Sequence, residues 1–200
     1  MARPNVGMMY PVFAPITAHT DGSMPTYGTG VVIHEARNAT ITMSFNNNPL
    51  YGDDRIVADD NGLQELTVSF EPTGLSDSDR VLLFGEEQGT VGGVTAQLIG
   101  DNETPYGGFG FVRKMYDEDT NAKKYEAWII LKVKFQEESM STATKEGSIS
   151  WGTPTLSGRA ASLYINSGEE QHFIAHASFA TAAAAKSWIN TVLNVPSATT

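Results

Sequence analysis

The sequence contains no cysteine and no long apolar run, and it is poor in positive charge. Without cysteine, the chain has no disulfide framework, no cysteine-ligated metal site and no thiol nucleophile. Its apolar stretches are shorter than the roughly 18 residues of a membrane-spanning helix, and Met1–Asn5 begins no apolar segment of a secretory signal. Thirteen lysines and arginines against 23 acids give a formal net charge of −10, which opposes binding to nucleic acid phosphates.

The remaining composition is that of a globular domain. Hydrophobic residues make up 40% of the chain and charged residues 18%, which separates it from disordered sequences. Two hundred residues suffice to bury a core without the help of disulfides or metal. We therefore expect one domain over residues 1–200, with residues 195–200 as a flexible tail.

Alternating apolar and polar residues predict a mainly β fold. Two segments alternate strictly, Thr40–Phe45 and Leu63–Glu71. The side chains expected to face the core are Ile41, Met43, Phe45, Leu66, Val68 and Phe70. Further strands are predicted at Met8–Ile16, Tyr27–Glu35, Val94–Ile99, Tyr106–Tyr116, Tyr125–Phe135, Gly147–Leu156 and His172–Phe179. Because proline cannot donate to a strand ladder, Pro11 and Pro15 place the first of these at a sheet edge or make it irregular.

Two helices are also predicted. Ser76–Gly85 begins with a serine cap and acids in its first turn, and its final glycine suits a helix end. A second helix begins at the Thr181 cap and ends near Leu193, with apolar residues at helical spacing along one side. Many short strands with one or two packed helices favour a β-sandwich or partly open barrel, with the C-terminal helix against the sheet.

The segment Asn46–Gly62 joins the two alternating strands and predicts a long loop instead of a tight hairpin. It combines turn-forming residues with four large apolar side chains: Leu50, Tyr51, Ile56 and Val57. A solvated loop gains little from such groups, so we expect them to be buried. Their cover is either the same domain or a neighbouring copy of the chain.

Charge is unevenly distributed along the sequence. Asn46–Thr90 carries ten acids and two bases, whereas Asn121–Phe135 carries four lysines and one acid. These segments are either two solvated faces of an ordinary protein, or opposite ends that let copies associate head to tail.

No catalytic, metal or cofactor motif emerges. His172 and His176 are four apart on a predicted strand, which separates them by roughly 13 Å, and the glycine-rich Gly85–Gly93 lacks the lysine of a phosphate-binding loop. The sequence therefore predicts a protein that is not an enzyme and holds no metal or cofactor.

Several stretches together resemble the major tail proteins of siphophages that infect Gram-positive bacteria, which are tail tube subunits. They are MMYPVFAPIT…PTYGTGVVI, NNPLYGDD, YGGFGFVRKM…KKYEAWIILKVKF, and TKEGSISWGTPTLSG with the late AKSWIN. The resemblance runs from about Met8 to Leu193 and rests on the order and spacing of these stretches.

The resemblance implies a structural virion protein made in the host cytoplasm. Such subunits are β-sandwiches with a flanking helix that assemble into stacked hexameric rings, and phage DNA passes through the lumen without specific binding. The implied partners are the protein itself and other tail proteins, such as the tape measure, distal tail and terminator proteins, with no membrane involved.

In such subunits a long loop contacts the next ring, and the matching segment here is the first of three sets of candidate residues. The inter-ring or inter-subunit loop comprises Asn48, Pro49, Leu50, Tyr51, Asp53, Asp54, Ile56, Val57, Asp59 and Asp60. The outward faces of the alternating strands carry no base and are predicted to line the channel: Thr40, Thr42, Ser44, Glu65, Thr67, Ser69 and Glu71. The acidic loop is expected to meet a basic surface of a neighbour, with Lys123, Lys124, Lys132 and Lys134 as candidates.

Other functions remain open. The chain is alternatively another phage tail, baseplate or capsid decoration protein. A carbohydrate- or host-surface-binding sandwich would need exposed aromatics on one face, with Trp128, Trp151 and Tyr116 as candidates.

Overall fold

The computed structural model describes residues 5–33, 35–117, 122–139, 152–165 and 170–196. Within them the chain forms 13 strands and two helices. The strands are β1 (Asn5–Ala18), β2 (Thr26–Tyr27), β3 (Val31–Val32), β4 (Ala36–Gly52), β5 (Arg55–Pro72), β6 (Glu87–Val91), β7 (Val94–Leu98), β8 (Gly107–Asp117), β9 (Ala122–Ser139), β10 (Thr155–Ala160), β11 (Leu163–Tyr164), β12 (Gln171–His172) and β13 (Ile174–Phe179). The helices are α1 (Asp77–Phe84) and α2 (Ala182–Val192). Neither described helix has the length and apolarity needed to cross a lipid bilayer.

Nine strands form one antiparallel sheet in the order β2-β1-β8-β9-β10-β5-β4, with β3 also on β1 and β13 also on β9. The pairs β6–β7 and β11–β12 stand apart as two small sheets. The sheet curves until β4 comes close to β1, but these strands do not pair in the described residues, so the barrel is not closed. The mainly β, two-helix prediction is confirmed.

An aromatic cluster fills the concave side of this curved sheet. Phe13, Phe70, Phe109 and Phe135 are fully buried. Their ring centroids lie 5.0 Å apart for Phe70 and Phe109 and 5.2 Å apart for Phe109 and Phe135. Helix α1 adds Leu83 to the same cluster. The inward prediction for Leu66, Val68 and Phe70 is confirmed, since all three are fully buried.

Helix α2 covers the opposite side of the sheet. Its Ala185, Ile189 and Leu193 are fully buried in a second cluster with Ile129 of β9. Thr181 caps this helix, because its hydroxyl accepts a hydrogen bond from the Ala184 backbone N–H at 3.2 Å. The predicted cap and apolar stripe of the C-terminal helix are confirmed.

Helix α1 is held at both ends and fastened to the sheet. Ser76 and Asp79 form a capping box at its start, and Gly85 adopts φ 69 at its end, as predicted. The Arg80 guanidinium donates to Glu137 of β9 at 2.8 Å and to the buried Glu86 at 3.2 Å. Hydrogen bonds and charge attraction from these two carboxylates, Glu137 first, raise the pKa of Arg80, and the ion pair with Glu137 ties α1 to β9.

Two predicted strands differ from the structure near the N-terminus. Strand β1 lies between β8 on one side and the short β2 and β3 on the other. Of the two predicted alternatives, an irregular strand is therefore confirmed and a position at the sheet edge is not. A register shift follows Met9, where Tyr10 adopts φ 59, and it admits Pro11 into the strand. The predicted strand Tyr27–Glu35 divides into β2 and β3 around Gly30, whose absent side chain leaves room for the Leu193 carbonyl.

Tyr27 links this region to the middle of the sheet. Its side chain is buried, and its hydroxyl donates to the Leu131 carbonyl at 2.8 Å. Burial raises the pKa of the Tyr27 phenol well above its ordinary value. The first half of the predicted strand Gly147–Leu156 lies outside the described residues, and its last two residues begin β10. The end of the predicted tail, 197–200, also lies outside them.

Candidate assembly surface

Strands β4 and β5 form one long hairpin that reaches from Ala36 paired with Pro72 to Gly52 paired with Arg55. Asp53 and Asp54 make its two-residue turn with φ 50 and φ 59. The predicted loop over Asn46–Gly62 is therefore wrong. Two adjacent left-handed residues close a tight hairpin, and aspartate tolerates this conformation better than most side chains do.

The outer half of this hairpin is not covered by its own domain. Leu50 is 63% exposed, Tyr51 67%, Ile56 57% and Val57 60%. Asn48 is exposed and Pro49 half-buried, while the side chains of Asp59 and Asp60 lie outside the described part. Burial within the same domain is thus wrong for these four apolar groups. Burial against a neighbouring copy stays a prediction.

The boundary between the covered and uncovered parts of β4 falls near Met43. Ile41 is partly buried and packs against the aromatic cluster. Met43 is 39% exposed, and Phe45 is exposed further along the strand. Met43 still faces inward, because it lines a depression with Phe111 and Trp128. The inward prediction is wrong for Phe45, which is 56% exposed. We call Phe45–Asp54 with its partner segment Arg55–Leu63 the arm.

All seven predicted channel-lining residues lie on one face of β4 and β5, opposite the aromatic cluster. Across the two strands, Thr40 pairs with Ser69, Thr42 with Thr67 and Ser44 with Glu65. Glu71 follows on the same side of β5. None of the seven is buried: Thr40, Thr42, Ser44 and Ser69 are exposed, and the other three are half-buried.

This polar face continues beyond β5 onto β10, where the sequence prediction found no strand past Leu156. Arg159 pairs with Thr67, and its Nε forms an ion pair with the Glu65 carboxylate at 2.9 Å. The alternation of Leu156, Gly158 and Ala160 is the signal that places Arg159 outward, although the two small residues make it weak.

Strand β9 extends the same face, because it changes side part-way along its length. Leu131 faces α2, whereas Val133 and Phe135 face the aromatic cluster. The switch lies at a β-bulge. Gly107 of β8 pairs with Val133 of β9, and Phe109 pairs with Ile130, so β9 uses three residues where β8 uses two. Beyond the bulge, Lys134 lies directly opposite Arg159.

Together these strands form a basic depression beside Tyr106. The ammonium groups of Lys132 and Lys134 lie 4.8 and 4.3 Å from the centre of the Tyr106 ring. The depression has a volume of about 550 Å³. It is lined by Thr67, Tyr106, Lys134, Gln136, Ser157, Arg159, Ala160 and Ala161. We call this region the socket and include Lys132 in it.

The structure separates the four lysines predicted as one basic surface. Lys123 and Lys124 pair with Tyr116 and Met115 beside the turn between β8 and β9. Lys124 also forms an ion pair with Asp117. Eight residues along an extended strand place this pair roughly 26 Å from Lys132. Only Lys132 and Lys134 share a region of the described structure with Arg159.

Trp128 is engaged within its own chain. Its Nε1 donates to Glu126 at 2.7 Å, its ring stacks on His176 at 5.1 Å, and the Arg113 guanidinium lies 5.1 Å from its centre. Trp151 lies outside the described residues, and Tyr116 is half-buried. Trp128 therefore does not offer a free ring for stacking a sugar. In the described part of the chain, no three histidine, aspartate or glutamate side chains gather into a metal site.

Comparisons with known proteins give little similarity. No protein-family model matches the chain, and no curated protein matches it. A solved structure with some similarity is the cryo-EM structure of the anti-feeding prophage (AFP) baseplate, 6-fold symmetrised. It has a TM-score of 0.34 and 12% sequence identity, covering 88% of this chain and 97% of that one. These values are too low to assign a function.

Proposed function

We propose that this chain is a tail tube subunit of a long-tailed phage, which assembles with itself into stacked hexameric rings around a channel for DNA ejection. The observation that carries the proposal is the arm, a paired hairpin whose apolar side chains have no cover in their own domain. The sequence resemblance to siphophage major tail proteins supports a tube over other assemblies.

The apolar side chains of the arm favour association with another protein. Burying a large aliphatic side chain fully contributes about 1.5–3 kcal/mol. Leu50, Ile56 and Val57 are each more than half exposed, so each contributes roughly 1–2 kcal/mol when a partner covers it. A monomer that left these groups in water would present an aggregation surface, whereas a repeating assembly buries them in every copy.

The edge of the sheet supports a ring. Strand β4 is the last strand in the sheet order, and within the described residues its outer edge has no partner strand. Beyond its approach to β1, the unpaired edge of this 17-residue strand is a template for pairing with another chain. Closing that edge against the next subunit, and so on round a ring, removes the open edges from the assembly.

The polar face of β4 and β5 suits the wall of a DNA channel. Its β4 half presents hydroxyl groups, and its β5 half adds Glu65 and Glu71. Hydroxyls and carboxylates form no ion pair with passing phosphates, so DNA moves along such a wall without being held. In this arrangement the tape measure protein would occupy the channel before ejection, and the distal tail and terminator proteins would close its ends.

Sedimentation velocity and negative-stain microscopy of the purified chain over a wide concentration range test the proposal. We expect a concentration-dependent transition from monomer to rings and hollow tubes. A chain that stays monomeric at high concentration, or forms only amorphous aggregate, would contradict it. Single rings that never stack would instead favour a baseplate component, and binding to capsids alone would favour a decoration protein.

A further inference from the structure

We propose that the socket receives the Asp53–Asp54 turn of the arm from another copy of the chain. This inference rests on the proposed self-assembly and identifies the surface that the arm contacts. The charge, shape and position of the two features carry it.

The socket holds more positive charge than the described residues of its own chain neutralise. Lys134 and Arg159 lie directly opposite each other across β9 and β10, an arrangement that destabilises a sheet. Glu65 pairs with Arg159. Among the described residues neither Lys132 nor Lys134 has a carboxylate partner, and both ammonium groups lie over the Tyr106 ring instead. An incoming pair of carboxylates would relieve this repulsion.

The tip of the arm carries the complementary charge. Asp53 and Asp54 are adjacent, exposed and left-handed, at the most distant point of a two-stranded ribbon. A carboxylate bound by arginine and lysine forms charge-assisted hydrogen bonds, which are stronger than neutral ones. The depression that would take this turn has a volume of about 550 Å³.

The tip cannot reach the socket of its own chain. Thr67 lines the socket and lies on β5, the strand that leads directly from the tip. Thr67 is 13 positions beyond Asp54 along this continuous strand, and a strand rises about 3.3 Å per residue, so the two lie roughly 43 Å apart. The arm continues the ladder away from the socket. The occupant of each socket must therefore belong to another copy.

A tip and a socket at different places on the same chain define a heterologous contact. Each copy gives its tip to one neighbour and receives a tip from another. Such a contact either closes into a ring or continues as an open stack, and the proposed stacking of rings uses the second form. Occupation of the socket also removes Lys132, Lys134 and Arg159 from the polar face, where they would otherwise bind phosphate. The remaining exposed part of that face is then hydroxylic and acidic.

Engineered disulfides test the contact directly, because the chain contains no cysteine. We expect the double variant Asp54→Cys with Lys134→Cys to give a ladder of covalent oligomers on mild oxidation of assembled protein. The matched control, Asp54→Cys with Lys123→Cys, should remain largely uncrosslinked. A ladder in the control but not in the test variant would overturn the inference.

Charge reversal gives an independent test. Asp53→Lys with Asp54→Lys, and separately Lys132→Asp with Lys134→Asp, should each raise the concentration needed for assembly at least tenfold. The chain carrying all four changes should return to within about threefold of the wild type. Lys123→Asp serves as the control and should assemble normally.

The outcomes separate the inference from the proposed function. Two results would show that the socket does not receive the tip while leaving the tube proposal intact. In the first, the wild type assembles and neither charge reversal changes its assembly. In the second, the variant with all four changes stays monomeric although its circular dichroism is unchanged. If the wild type never assembles, the proposed function itself fails. Retention of a short DNA duplex by assembled wild type but not by the Lys132→Asp, Lys134→Asp variant would show open sockets and would also overturn the inference.

Discussion

Replacing Leu50 by serine tests the arm without disturbing the domain that carries it. The Leu50 side chain is 63% exposed and contacts no buried cluster, so its loss should change the free energy of unfolding of the monomer by less than about 0.5 kcal/mol. In an assembly the same side chain is expected to be covered. Leu50→Ser should therefore weaken association and leave folding intact.

The size of the effect follows from the exposed fraction. Full burial of leucine contributes about 1.5–3 kcal/mol, and the 63% that is exposed accounts for roughly 1–2 kcal/mol of it. Because each 1.4 kcal/mol is a factor of about ten in an equilibrium constant, the critical concentration for assembly should rise about tenfold.

Sedimentation velocity over a concentration series measures that shift, and thermal unfolding of the dilute monomer checks the fold. Val94→Ser is the matched control, because Val94 is 68% exposed on the separate β6–β7 hairpin. An equal rise for both variants would mean that general surface apolarity, and not the arm, drives association. No rise for Leu50→Ser would refute the assignment of this side chain to an interface.

Other expected outcomes concern the core, a helix end, pH and the assembly's repeat. Phe135→Ala removes a ring packed against Phe13, Phe70 and Phe109 and should lower the free energy of unfolding by about 3–5 kcal/mol in a urea titration. Gly85→Ala places a Cβ 2.5 Å from the Glu103 carbonyl, at a residue with φ 69, and should lower the free energy of unfolding by more than about 1 kcal/mol. Gly62→Ala is the control: its Cβ would meet no atom within 4 Å, so the free energy of unfolding should hardly change. Burial raises the pKa of Tyr27 in the folded state only, so stability is fully present below about pH 10 and falls as the pH rises further; Tyr27→Phe should show a shallower alkaline loss in urea titrations. If tips occupy sockets, the axial repeat measured by cryo-microscopy should not exceed about 45 Å, because that is the greatest length of the extended chain between the tip and the socket.

Local patterns predicted the parts of the fold that a single element determines. The stripe on α2 and the serine and glycine at the ends of α1 depend on residues within one or two turns, and both predictions are confirmed. The alternation of Leu66, Val68 and Phe70 likewise gave the buried face of β5. In each instance the sequence spacing alone decides which side chains share a surface.

The candidate site was harder to predict because it depends on pairing between distant segments. The turn at Asp53–Asp54 lacks the glycine that usually marks a two-residue hairpin, so its segment resembled a loop. The bulge in β9 reverses the side on which Lys134 lies, and nothing in its own alternation indicates where the reversal occurs. Arg159 joins the face only because β10 pairs between β5 and β9.

The near approach of β4 to β1 has a mechanical consequence. Between these strands the described residues form no ladder, and Met8 of β1 packs against the aromatic cluster together with Ala39 and Ile41 of β4. Side chains slide past one another at small displacements, whereas ladder hydrogen bonds must break. A junction without ladder hydrogen bonds lets the subunit flex without unfolding. A tube built from many such subunits would bend under load by distributing small openings over these junctions.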